Sequence, residues 1–172
     1  MITITNAQAK KIMALVPRNE EIEYVDMNQY KILLNSNANL GTWNLQTCVA
    51  IAICINDGAI RYLAHVNIFE NGVDKKDFYF VRESLKELEQ KIYKFDETKV
   101  KIDIISSYSY INKLQSLNER LLLQIIDQFS ANYGHIKPDL HNGWTVLMTP
   151  TGTTKVLTFI EENLLKSNEQ QK

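Results

Sequence analysis

Cysteine is scarce in this chain, with two in 172 residues, so a disulfide framework of the kind that props up small secreted domains is excluded. Cys48 and Cys54 sit six positions apart, and on an extended strand that is roughly 20 Å, too far to bridge. Free thiols fit a reducing compartment. Proline and glycine are also few, three and six, and they gather in no linker. There is no internal repeat or low-complexity block. Excess charge is missing as well: the net charge is -1, with Lys and Glu interspersed. That argues against a basic nucleic-acid binder. No apolar run is long enough to span a bilayer. The opening "MITITNAQAKKIM" lacks the charged and apolar regions of a secretory signal. The reading is a cytoplasmic protein, with export as an effector left open. A Gly-rich phosphate loop, a serine nucleophile elbow and a nucleotide fingerprint are all absent.

What is present is enough apolar material, 45% of residues, to bury one core without metal or disulfides. We read a single domain over 1–165 and a polar tail over 166–172. "NAQAKKIMALV" reads as a short helix with Ile12, Met13 and Val16 on one side. "IEYVDM" and "YKILL" read as strands. "VRESLKELEQKIYKF" is an amphipathic helix, because Val81, Leu85, Leu88 and Ile92 recur at helical spacing. "VKIDIIS" is a strand with Val100, Ile102 and Ile104 on one face. "SLNERLLLQIIDQFSANYG" is a helix opened by a Ser116/Glu119 capping box and stopped at Gly134. Leu122, Ile125, Ile126, Phe129 and Tyr133 form its stripe. "WTVLMTP" is a strand, and "TGTTKVLTFIEENLL" starts at a turn and ends as a helix. Loose alternation of this kind predicts an α/β layered fold with largely antiparallel pairing.

The stretch with chemical content is 41–66. "TCVAIAICI" carries β-branched residues on one parity and Cys48, Ala50, Ala52 and Cys54 on the other. Both faces are apolar, which predicts a central strand. Asp57-Gly58 is a two-residue hairpin signal. Taken literally, it pairs Asn56 with Ala59, Ala50 with His65 and Cys48 with Asn67. Cys48 and His65 then share a face as diagonal neighbours, with Cα atoms roughly 7–8 Å apart. A slip of one pair toward the turn would set Cys48 and His65 directly opposite, and a one-residue bulge would send His65 to the other face, so the register stays open. A thiol beside an imidazole is the minimal kit for acyl transfer at an amide. Buried cysteine is also ordinary packing, and parity alone leaves both readings open. His135 and His141, in "GHIKPDLHNG", have no metal-ligand spacing; with Asp139, His141 reads as a solvated loop residue. Cys54 and Trp144 read as core. Trp43 lies beside the motif, as core or as entrance lining.

The residues around Cys48 resemble the chemoreceptor glutamine deamidase family, CheD. "TWNLQTCVAIAICIND" supplies Thr42, Leu45, Cys48 and Val49-Ala50, and "LAH" supplies Ala64-His65. Six positions separate Thr42 from Cys48 and seventeen separate Cys48 from His65, as in the family's catalytic set. "NERLLLQIIDQF" and "WTVLMTPTGTTKVL" resemble later parts of the family, so the similarity touches most of 40 to 157. The resemblance implies a layered α/β/α sandwich with mixed, largely antiparallel sheets and flanking helices. It also implies a cysteine-dependent protein-glutamine deamidase without cofactor or metal, acting as a monomer on a protein that presents a glutamine. Cys48 is then the nucleophile, His65 the base and Thr42 its orienting partner. Asn44, Gln46, Thr47 and Trp43 line the substrate and oxyanion region. Asn44 and Gln46 stand where the family has glycines, and Thr47 where serine is usual. Toxin deamidases of the cytotoxic necrotizing factor type are similar in catalytic logic. A non-catalytic binding or regulatory module with a protein partner, and a cysteine protease or transglutaminase-like transferase, are alternatives on the same residues.

Overall fold

A computed structural model describes residues 22–68, 78–95, 97–107 and 117–157. Among these residues, nine strands and two α-helices follow in chain order. They are β1 (Ile22–Tyr24), β2 (Gln29–Leu34), β3 (Asn39–Thr42), β4 (Cys48–Ile55), β5 (Ile60–Asn67) and α1 (Tyr79–Ile92). Then come β6 (Val100–Ser106), α2 (Leu117–Ser130), β7 (Asp139–Asn142), β8 (Thr145–Met148) and β9 (Thr154–Leu157). The fold is mixed α/β, with a five-stranded sheet ordered β2-β5-β4-β6-β7 and a four-stranded sheet ordered β1-β3-β8-β9. Each sheet is antiparallel apart from one parallel pair, β6 with β7 and β1 with β3.

Strand β4 is central, and its two parities face different layers. Val49, Ile51, Ile53 and Ile55 pack with Val81, Leu85, Leu88 and Ile92 of α1 and with Leu122, Ile125, Ile126 and Phe129 of α2. Cys48, Ala50, Ala52 and Cys54 pack instead with Leu40 of β3 and with Val146 and Met148 of β8. Small side chains on that parity let the second sheet approach. The layers among the described residues therefore run helices, five-stranded sheet, four-stranded sheet. Among the described residues the Cys48 face is covered by the strands of the second sheet. The short helix expected over "NAQAKKIMALV", the Ser116 cap, the helical end of "TGTTKVLTFIEENLL" and the tail lie outside the described residues.

The hairpin register is the one that a literal two-residue turn gives, with Ala50 opposite His65 and Cys48 opposite Asn67. The turn closes through Ala59 N–H on the Asn56 carbonyl at 3.3 Å. Asp57 (φ 56) and Gly58 (φ 105) occupy the left-handed region that a tight hairpin of this kind demands. Two elements depart from the sequence reading. "NLGT" forms β3, and "DLHN", read as part of a proline-containing loop, forms the edge strand β7.

Arg61 ties the two sheets together. It is fully buried; Nη1 donates to the Met148 carbonyl at 3.1 Å and Nη2 to the Ser36 carbonyl at 2.9 Å. Burial lowers its pKa. Carbonyl partners and the guanidinium's high intrinsic pKa keep it charged in the interface.

Candidate active site between the sheets

Thr42, Cys48 and His65 meet at one end of the intersheet layer, and the chain path explains their spacing. Thr42 is the last residue of β3, in the four-stranded sheet; Cys48 is the first residue of β4, in the five-stranded sheet. The six-residue interval is the crossing from one sheet to the other. His65 enters from β5, two residues before that strand ends. All three side chains are buried, at 0%, 3% and 4% exposure.

The hydroxyl of Thr42 fixes the state of the imidazole. Its Oγ1 lies 2.7 Å from the Val25 carbonyl and 2.7 Å from His65 Nδ1. A carbonyl only accepts, so the one hydroxyl proton goes to Val25. Oγ1 must then accept from Nδ1–H, which places the proton of a neutral ring on Nδ1 and leaves a lone pair on Nε2. That Nε2 is buried and has no hydrogen-bond partner. Burial pushes the His65 pKa down to about 4, partly opposed by attraction to Asp26. The ring is therefore neutral at pH 7, with the Nε2 lone pair directed into the site. Because Nε2 is unpartnered, the thiol of Cys48 is not bonded to it at rest. Catalytic hydrogen bonds are often looser in the free enzyme than with substrate bound.

The crossing loop is fastened on several sides. Leu45 is fully buried; its N–H donates to the Trp144 carbonyl at 3.1 Å. Ser107 Oγ lies 2.6 Å from the Leu45 carbonyl and 3.0 Å from the Gln46 carbonyl, and its one proton goes to the nearer. Asn44 has φ 60, a left-handed conformation that asparagine tolerates better than most residues. Trp43 is half-buried and meets Tyr24 edge-on, ring centroids 3.9 Å apart. Thr47 is half-buried and Gln46 is exposed, so Gln46 is the loop side chain presented to solvent.

The other candidates separate from this cluster. Cys54 is buried at the far end of β4, and desolvation raises its thiol pKa, partly opposed by the Gly58 N–H. Trp144 is half-buried rather than core. His135 is exposed, with φ 53. The reading of His141 as a solvated loop residue is corrected: its Nε2 lies 2.7 Å from Oδ1 of Asp103, a carboxylate 1% exposed on β6. Lys101 Nζ sits 3.7 Å from the other oxygen. Asp139 is exposed. No group of three or more His, Cys, Asp or Glu among the described residues is arranged to hold a metal ion. No helix among them is long and apolar enough to cross a membrane.

Sequence reasoning did not find the Val25 carbonyl that orients Thr42, since a backbone acceptor carries no residue signature. Asp26 and Arg61 were missed likewise; a charged residue at an inward-facing strand position, as Arg61 is, was the available signal. No family model matches the chain, and no curated protein is detectably similar to it.

Proposed function

We propose that the protein is a cysteine-dependent protein-glutamine deamidase. The observation that carries the reading is the Thr42–His65 hydrogen bond, which leaves a bare, buried Nε2 on the strand face that also bears Cys48. The resemblance of the Thr42/Cys48/His65 spacing to the CheD family supplies the reaction class.

Cys48 sulfur attacks the carbon of a glutamine side-chain amide while His65 Nε2 takes the thiol proton. The carbonyl π electrons move to oxygen. As they return, the C–N bond breaks and ammonia leaves with the proton held by His65, giving a thioester. Water then adds to the thioester carbon, its proton passing to Nε2. The C–S bond breaks, Cys48 is reprotonated, and a glutamate side chain remains. Through both steps Nδ1–H stays on Thr42, so the imidazolium forms without turning. Thr42 adds orientation but no charge, a weaker partner than a carboxylate.

Protein glutamine suits the site because Cys48 lies at a strand end behind a fixed loop; no basic groove is needed to attract a polyanion. A cytoplasmic setting, with a host or signalling protein as substrate, belongs to the same proposal. The test is ammonia release and a +1 Da change on a glutamine-bearing protein. Cys48→Ser abolishes both; activity that survives Cys48→Ser refutes the mechanism. One observation favours a second reading, a binding module without chemistry: Cys48 is only 3% exposed. Unchanged partner binding by a Cys48→Ser/His65→Gln double variant, with no ammonia formed by the wild type, supports that reading instead.

A further inference from the structure

We infer that Asn67 is a substrate-contacting residue of this site, its carboxamide donating to the amide oxygen that becomes negative during attack. The inference rests on the deamidase reading and adds a residue to it. Asn67 is the Cα partner of Cys48 across β4 and β5, so its side chain projects from the same face. Its backbone N–H donates to Asn28 Oδ1 at 3.0 Å, and the His65 carbonyl accepts from Asn28 N–H at 2.7 Å. Both groups point toward β2, away from β4. Cys48 and Asn67 therefore form the non-hydrogen-bonded kind of antiparallel pair, in which Cα atoms approach to about 4.5 Å and side chains come closest.

The side chain is 7% exposed, and Nδ2 donates to Met27 Sδ at 3.5 Å. A thioether is a weak acceptor, so an oxygen gaining negative charge competes well for that donor. His65 lies two residues back on the same face of β5, at Cys48's diagonal. The sulfur thus has a base on one side and a carboxamide directly across. The Leu45 N–H cannot serve the oxyanion, because it is bonded to Trp144. When sulfur adds to the substrate carbon, the displaced π electrons reside on an oxygen held by Asn67 Nδ2–H. They return as C–N breaks, with ammonia carrying away the proton from His65. Loss of one such donor from an oxyanion site lowers the rate by about 10²–10³-fold.

Two alkylating probes separate this role from packing. Iodoacetamide reacts with a thiol by displacement at saturated carbon and builds no oxyanion. A chloromethyl-ketone analogue of glutamine reacts through a tetrahedral adduct that does. Labelling of Cys48 in the full-length protein is followed by mass spectrometry for Asn67→Leu and for Asn67→Asp, the latter isosteric and without a donor when ionised. The expected result is a fall of at least tenfold in the chloroketone rate, with the iodoacetamide rate within threefold of wild type in whichever variant folds. Equal changes in both rates, or no change, overturn the role of Asn67 while leaving Cys48 as nucleophile. A wild-type protein whose Cys48 prefers the chloroketone no more than glutathione does overturns the deamidase reading and this inference with it.

Discussion

The two faces of β4 are built from opposite materials. Toward the helices stand Val49, Ile51, Ile53 and Ile55, all buried and surrounded by aliphatic and aromatic side chains. Toward the second sheet stand Cys48, Ala50, Ala52 and Cys54, and the same layer holds Thr42, Arg61, His65, Asn67 and Asp103, all buried. Buried polar groups are costly unless bonded. The first face needs no individual residue for chemistry and the second buries little apolar volume per residue. Stability and the proposed reaction are thus divided between two sides of one strand.

Substitution on each face tests that division most strongly. Cys48→Ser removes ammonia release altogether and leaves the unfolding midpoint near wild type. Ile51→Ala does the reverse. It empties a position between β4 and the helices and costs about 2–5 kcal/mol, read by denaturant unfolding, while the folded fraction keeps its activity per molecule. Comparable stability losses from the two variants break the comparison.

A pH titration of stability probes the polar face next. The folded-state pKa of His65, about 4, lies below its unfolded value near 6.5. Between these limits the unfolded chain binds a proton that the native protein refuses. Stability therefore falls as pH drops from 6.5 toward 4 and levels off below, a loss of roughly 3 kcal/mol from this group. His65→Gln flattens that segment of the curve. Activity follows the same group: the acid limb of kcat/KM falls near pH 4, because a neutral Nε2 is required. An acid limb near 6.5 indicates a solvated imidazole and removes the argument from burial.

Substitution of Thr42 has a smaller reach. Thr42→Val keeps the shape but strips the Val25 carbonyl and His65 Nδ1–H of their shared partner, which costs about 1–3 kcal/mol and lowers kcat more than it raises KM. Thr42→Ser retains both bonds and restores the rate. Equal damage from Ser and Val assigns Thr42 to packing through its methyl group.

The legible part of this architecture is the part set by local pattern. Alternating parity in "TCVAIAICI" and the Asp57-Gly58 turn were enough to put Cys48 and His65 on one face within contact range and β4 in the sheet centre; the register itself, with Cys48 opposite Asn67, is fixed only by the structure. Helix α1 was readable from Val81, Leu85, Leu88 and Ile92, all buried as expected. Strand β3 was not, because "NLGT" is short and half polar; its extended form depends on β1 and β8 on either side. Strand β7 is four residues of mostly exposed chain beside Pro138, held by parallel pairing to β6, which no turn signal announces. The Asp103–His141 bond depends on the same pairing and has no local signal of its own. Only the family resemblance points to Thr42, since hairpin parity says nothing about a residue on the opposite sheet. The crossing between sheets explains its interval from Cys48 only after both strands are placed.

The smallest expected effect separates the two ends of the polar face itself. Cys54 shares parity with Cys48, but its environment is unlike a reaction site. A Cβ built on Gly152 would lie 2.9 Å from Cys54 Sγ, so the β8–β9 turn presses directly on the sulfur. Desolvation raises its pKa, and a thiol with little thiolate is a poor nucleophile. Cys54→Ala should therefore cost about 1 kcal/mol and leave ammonia release within twofold of wild type. Iodoacetamide at pH 8, followed by peptide mapping, should modify Cys48 well before Cys54. Labelling of Cys54 at an equal or greater rate would mean that the β8–β9 turn opens more readily than the loop over Cys48. The chemical distinction between the two ends of β4 would then be lost, whatever the distinction between its faces.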